Sequence, residues 1–401
     1  MSTGGEQSVT RALDSLDGTV RALRGAAESI EVFVRWSDRL HVELDQGAAR
    51  VSRGAEAGTA VRLRDADGSL RFGASSGGDE QAAARALATA RSLPGCPAAE
   101  GGDPWAGEGL QVDRAGPLDL PDPAEAEAWL RSAWERTPGG PGARAHLDAA
   151  VTVEALGTTG GLRTCRLRGV VWARWVAGTA VRSAVSRRLP ELEPAGWDEP
   201  SVALAPALPP VVGGPIALLP AAAGSLAPVL VAAVHPPGVG AGKVGPGWVC
   251  EDDPGDPEAP AGGAFDDTGF PGGRLPLADG RRILATPAGP GRRRRLSFRH
   301  PPVERAANLC FRPTGSWDGT GLVVRGARPH AVGGSWWTVL EAAPAREGRL
   351  LAPWSAWGVR AGPEAWVAGC RAGVGPARRS PEGVLTPTLV FDGLHAERLP
   401  G

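Results

Sequence analysis

Tyrosine is absent from the 401 residues, and Lys243 is the only lysine among 43 basic side chains. Arginine and alanine take up the difference, a skew that a GC-rich coding sequence produces. The 58 glycines and 38 prolines therefore signal disorder only where they cluster. Cysteine is scarce: Cys96, Cys165, Cys250, Cys310 and Cys370 form no C-x-x-C pair and are odd in number. A disulfide framework does not fit so long a chain, and a reducing compartment does. No long unbroken apolar run exists. The most apolar stretch, Val202 to Val234, is interrupted by prolines and glycines, so it is not the span of roughly 20 apolar residues that crosses a bilayer. The N-terminus has neither a basic nor an apolar leader region. A cytoplasmic protein with no membrane partner is the expectation. The formal net charge of -1 supplies no global field to draw the chain to nucleic acid, which is not expected as a partner. Two enzyme classes drop out on motif grounds. Lys243 is followed by Val244, so there is no phosphate-binding G-x-x-x-x-G-K-[ST] loop, and no G-x-S-x-G elbow occurs.

What is present is globular: 42% hydrophobic and 22% charged residues, enough for a sizeable core in a chain long enough for two domains. Leu13, Leu16, Val20 and Leu23 recur at helical spacing and predict a helix over 8–29. Ile30 to Trp36, His41 to Leu44, Thr59 to Arg64 and Leu70 to Ala74 are alternating or β-branched runs that predict strands, with turns at Asp45-Gln46-Gly47 and Asp67-Gly68. Gln81 to Leu93 is Ala-rich and helical, and 94–123 is a Pro- and Gly-rich connection. Asp122 is placed to cap a helix with Pro123 in its first position. Strands are expected over 146–156 and 162–186. After a second loose connection from Pro194 to Pro215 come a short buried strand from Ile216, an apolar helix from Ala221 to Val234, and strands and turns to the end. The fold class is α+β. The N-terminal part, 1–200, has an antiparallel sheet with helices (core 8–93, linker about 94–123, further helix and strands 124–190). The C-terminal part, 201–401, is mostly antiparallel β.

Three blocks, in order, resemble the TldD/PmbA family. The first runs from Glu31-Val-Phe-Val through Gly58-Thr-Ala-Val-Arg-Leu and Leu70-Arg-Phe-Gly-Ala-Ser-Ser to the Ala-rich helix. The second is Leu218-Leu-Pro-Ala-Ala-Ala-Gly-Ser-Leu, continuing to Glu251-Asp-Asp-Pro and Gly263-Ala-Phe-Asp-Asp-Thr-Gly-Phe-Pro, with Thr268 where the family has glutamate. The third is Pro387-Thr-Leu-Val-Phe-Asp-Gly. Phe265-Asp266-Asp267 followed by Gly269 is the most specific of these, and 292–385 matches poorly.

The resemblance implies a zinc peptidase fold whose catalytic subunit carries H-E-x-x-x-H on the helix after the apolar strand, plus a cysteine near the C-terminus. Two imidazoles and a thiolate hold the metal, and the glutamate takes a proton from its water. Here the likeliest register puts Ala227 and Pro228 where the first His and Glu belong, and Ala232 at the second His. No His-Glu dipeptide exists anywhere in the chain, so no register restores the motif. Cys370 lies near the family's cysteine but reads better as a small buried residue. The chain thus resembles the TldE (PmbA) kind of subunit. That kind lacks the motif and pairs with a TldD-like catalytic subunit that supplies the zinc. The heterodimer cleaves unfolded peptides and matures ribosomally made peptide natural products. No catalytic or metal-ligating residue is expected in this chain.

His235, at the end of the apolar helix, reads as a C-terminal cap or as a residue lining a shared peptide cleft. Arg292, Arg293, Arg294 and Arg295 form the one dense basic run. It reads as a solvated strand edge or as a clamp for a peptide or partner. Asp252, Asp253, Asp256, Asp266 and Asp267 read as turn formers rather than a cation site. The 14 tryptophans read as core, or as an interface for those clustered from Trp336 to Trp357. Two rival functions stay open: a repurposed enzyme built on Cys250, Cys310, His300 and Cys370, and a homodimeric peptide-binding scaffold.

Overall fold

The computed structural model describes residues 4–25, 27, 29–96, 109–115, 119–135, 143–177, 180–192, 211–212, 214–234, 243–256, 258–259, 262–289, 291–295, 297–332, 335–380 and 383–399. Alternation in the first part of the chain is carried much further than the apolar runs suggest. The two strands expected over 30–44 are one, β1 (Ser29–Asp45), and its partner β2 (Ala48–Arg64) is equally long. Gln46 and Gly47 join them with φ of 51° and 82°, the two positive values a tight type I′ hairpin needs. β3 (Leu70–Ser76) pairs with the end of β2, and the helix α2 (Glu80–Ser92) follows, capped by Asp79, whose carboxylate accepts from the Ala82 amide. The first helix, α1 (Gly4–Leu23), stops short of the expected 29 because Ser29 already belongs to β1.

The supposed connection over 94–123 contains a strand, β4 (Gly109–Ala115), which pairs in parallel with β6 (Leu162–Ala177). Asp122 does cap α3 (Pro123–Glu135): its carboxylate accepts from the Ala124 amide at 2.8 Å. β5 (Arg144–Thr158) pairs with β1 and β6, and the long run after 162 folds back as β7 (Ala180–Ser186). The sheet order is β3-β2-β1-β5-β6-β4, with β7 also on β6. One face buries Ile30, Val32 and Val34 under α1 and α2, then Leu40, Val42 and Leu44 by α3. The opposite face offers Phe33, Ala60, Leu156 and Leu162 to Phe298 from the second half of the chain.

That second half is one large mixed sheet. Its strands are β8 (Val211–Val212), β9 (Ile216–Leu218), β10 (Val249–Asp252), β11 (Leu275–Asp279), β14 (Leu309–Phe311), β15 (Gly321–Val332), β16 (Ser335–Arg346), β17 (Arg349–Leu350), β18 (Ser355–Val359), β19 (Cys370–Arg379), β20 (Leu385–Phe391) and β21 (Ala396–Arg398). A separate small ribbon joins β12 (Arg293–Arg294) to β13 (Val303–Glu304). Most pairings are antiparallel, but β9 runs parallel to β15, as β14 does to β20. The helix α4 (Pro220–Val234) packs Leu226, Ala227 and Leu230 into a core that includes Trp248, Trp357 and Trp366. A short helix, α5 (Pro363–Gly369), contributes Trp366, which meets Phe391 edge-on at 5.1 Å. No helix among the described residues is long and apolar enough to cross a membrane.

Candidate functional site

The last turns of α4 wall a cleft of about 480 Å³. Pro228, Val229, Val231 and Ala232 form one side, and Thr286–Ala288, Glu304–Leu309, Gly383 and Val384 complete it. Pro228 inside the helix removes one amide donor and leaves the preceding turn unbonded there. Pro228 and Ala232, two of the three residues that the sequence reading aligns with the motif, line this cleft. Ala227 does not line it and is buried at 1% exposure in the core beneath.

The donor set does not fit a metal. Pro228, Val229 and Ala232 have no side-chain lone pair to offer. Of the polar lining residues, Glu304 faces Arg293 at 3.9 Å. Asn308 is fully engaged: its amide donates to the Asp253 carbonyl at 2.9 Å and to Asp256 at 3.3 Å, and its oxygen accepts from Arg379 at 2.9 Å. Among the described residues no cluster of three or more His, Cys, Asp or Glu is arranged to hold a metal ion. His235 lies outside the described residues. What the cleft can do chemically is accept apolar side chains between a charged rim and a proline-bearing helix.

The three cysteines of the rival enzyme reading add no nucleophile. Cys250, Cys310 and Cys370 are buried. Burial pushes all three thiols up, Cys310 to about 12 and the other two further, so none is a thiolate at neutral pH. His300 sits apart from them on an exposed loop, its ring 2.9 Å from the Ser297 hydroxyl. The acidic residues are largely turn formers. Asp266 accepts from the Thr268 and Phe270 amides and the Thr268 hydroxyl, Asp253 from the Gly255 amide, and Asp256 from the Glu258 amide.

Arg292 to Arg295 are not a solvated strand edge. Their side chains are 2–10% exposed and turned inward. Arg292 meets Asp252 at 3.0 Å. Arg294 donates to the Phe265 carbonyl at 3.0 Å and lies 3.6 Å from Asp267. Arg295 crosses to the first sheet, where it donates to Glu31 at 2.5 Å and stacks over Phe33 and Phe72. Glu31 also accepts from Arg62. Beside this pair, Asp267 accepts from Arg166 of β6 at 2.7 Å and from the Arg295 amide at 2.6 Å. The run is an ionic strut between the two sheets. Its physical logic is mutual: each buried guanidinium is tolerable only because a buried carboxylate is already there. Burial works to raise the Asp267 carboxyl, but Arg166, Arg294 and the Arg295 amide outweigh it and hold the group below the usual carboxylate range. For Glu154 the balance falls the other way: burial dominates over Arg166 and raises it.

One polar group escaped sequence reading. On the face of β1, β5 and β6 opposite the helices, the Asp148 carboxylate lies 2.8 Å from His41 and 4.0 Å from His146, and Trp172 stands edge-on to His146 at 4.8 Å. The i, i+2 spacing of His146 and Asp148 on a strand was the available signal. Trp175, Trp248, Trp357 and Trp366 are core residues, whereas Trp337 is 38% exposed.

No protein-family model matches the sequence, and no curated protein matches it. Solved structures do. TldE from Thermococcus kodakarensis aligns over 96% of this chain and 100% of its own, with a TM-score of 0.74 at 14% identity. The fold is that of TldE. A protein from Bacteroides thetaiotaomicron described as a modulator of DNA gyrase aligns over 99% of this chain and 100% of its own (TM-score 0.68, 15% identity). Another so described, from Thermotoga maritima, aligns over 96% and 99% (TM-score 0.70, 14% identity). At such identity the likeness to TldE is one of backbone path, which here runs from end to end of both chains.

Proposed function

We propose that this chain is the non-catalytic, TldE-like subunit of a heterodimeric zinc metallopeptidase of the TldD/TldE type. Its substrates are unfolded peptides or precursors of ribosomally made peptide natural products. What supports the reading is a TldE-like fold over 96% of the chain together with an α4 wall whose Pro228 and Ala232, aligned with the motif by sequence, offer no side-chain ligand to a metal. Zinc, and the glutamate that activates its water, belong to a partner carrying H-E-x-x-x-H. No hydrolytic step is assigned to a residue of this chain. Its contribution is to help enclose the partner's site and hold an extended peptide through main-chain hydrogen bonds, which accept most sequences.

The test is zinc content and peptidase activity of the purified chain, alone and after mixing with an H-E-x-x-x-H partner. Cleavage is expected only in the mixture, which should run as a heterodimer by native mass measurement. Stoichiometric zinc and cleavage by the chain alone would refute the reading.

A further inference from the structure

The first sheet ends unevenly. β3 covers β2 from Gly58 onward, but no described strand pairs with the far side of Ala48–Ala57. The outer edge of β6, in contrast, is shared by β4 and β7. The phase of the open edge follows from one bond. The Gly77 amide donates to the Ala57 carbonyl from the β3 side at 2.9 Å. Along a strand, residues two apart send both N–H and C=O to the same side, and β1 and β2 pair without a register shift. Ala49, Val51, Arg53 and Ala55 therefore direct their amides and carbonyls outward, and Ala48 and Arg50–Glu56 are exposed.

Beside this edge the helix layer is interrupted. Between α1 and α3 lies a trough of about 850 Å³. Its floor is Trp36, Asp38, Ala55, Val151 and Val153, with Asp38 paired to Ala55 on one side and Val151 on the other, and Arg53 lies on the outermost strand. An open edge flanked by a trough is what a strand-adding ligand requires: ladder hydrogen bonds on one side, and room for every second side chain on the other. The small residues Ala49, Gly54, Ala55 and Ala57 leave the approach clear, and no proline guards it.

We infer that the Ala48–Ala57 edge of β2 is a strand-addition site for an extended peptide, with alternate apolar side chains of that peptide seated over the trough. The inference rests on the peptide-holding role proposed above and supplies its location. The probe is a fluorescein-labelled peptide of about eight residues with apolar side chains at alternate positions, long enough at about 3.4 Å per residue to span the edge. Its binding to the full chain is read by anisotropy. Arg53→Pro removes an outward amide and no bond to β1, so the chain is expected to fold. It should weaken binding about tenfold, while Arg53→Ala, which keeps the amide, should change it less than about twofold. Independently of any variant, a peptide N-methylated at alternate residues should lose binding to the unaltered chain. The inference is overturned by absence of saturable binding, or by binding indifferent to both Arg53→Pro and N-methylation. It is also overturned by a peptide-independent dimer that Arg53→Pro dissolves, which would make a second copy the occupant. None of these readouts uses cleavage, so the subunit reading and the site stand or fall separately.

Discussion

Two carboxylates in the ionic strut, Asp267 and Glu154, are both buried beside Arg166, yet neutralising them should cost unequal amounts. Asp267 is held ionised by hydrogen bonds from Arg166 and the Arg295 amide, with Arg294 at 3.6 Å. Asp267→Asn removes the charge while Arg166 and Arg294 stay 2% and 5% exposed. It also puts an amide N–H₂ where donors already converge. Removing one partner of a buried pair costs about 3–5 kcal/mol. Glu154 approaches Arg166 only at 3.7 Å and Arg35 at 3.9 Å, and burial already favours its protonated form. Glu154→Gln should therefore cost less than Asp267→Asn, because burial already opposes the charge that it removes. Urea unfolding, followed by far-UV circular dichroism and by tryptophan emission, compares the two. Trp175 reports on the first sheet, and Trp248, Trp357 and Trp366 on the second. Equal costs for the two substitutions, or a cost below about 1 kcal/mol for Asp267→Asn, would refute the account of the strut.

Two further outcomes follow from the same geometry. A Cβ on Gly58 would lie 2.3 Å from the Phe298 ring, so Gly58→Ala should destabilise the chain by about 1–3 kcal/mol. Combining it with Phe298→Ala should cost less than the sum of the single effects, measured by the same unfolding assay. Burial lowers the His146 pKa below 6.5, the nearby His41 and Arg174 add to this, and Asp148 only partly opposes it. Below that value the unfolded chain takes up this proton more readily than the folded one. Stability should therefore fall as pH drops from about 6.5 toward the folded-state value. Melting temperature measured across that range should slope less in His146→Gln, and an unchanged slope would count against the assignment.

Local pattern made α1 to α4 and several strand cores legible, but not the short α5, which lies in a stretch read as strands and turns. The Asp122-Pro123 cap, the Gln46-Gly47 turn and the amphipathic spacing from Leu13 to Leu23 each carry their own physical signal and appear where expected. Strand length was not legible. Ser37-Asp38-Arg39 interrupts the apolar alternation of β1, and Ala48–Ala57 has too few β-branched residues to look like a strand. Both are extended because the long ladder from β2 through β5 supplies hydrogen bonds regardless of side chain. β4 was hidden for the same reason: Gly109–Ala115 is ordered by its place along β6, a partner remote in sequence.

The arginine run shows why charge density misleads when read alone. Arg292 to Arg295 are consecutive, so a linear reading sees mutual repulsion and concludes solvent. In the fold they diverge. Arg292 turns to Asp252, Arg294 to Phe265 and Asp267, and Arg295 to Glu31 at the far end of the chain. The carboxylates that make burial affordable had been read separately, as turn formers for Asp252 and Asp267 and as a strand residue for Glu31. Within each Asp-Asp pair the roles divide: Asp253 and Asp266 shape the turns, and Asp252 and Asp267 neutralise the run. The Phe265-Asp266-Asp267 block therefore joins the halves of the molecule, and the peptide proposed above would be held elsewhere, at the α4 cleft or the β2 edge.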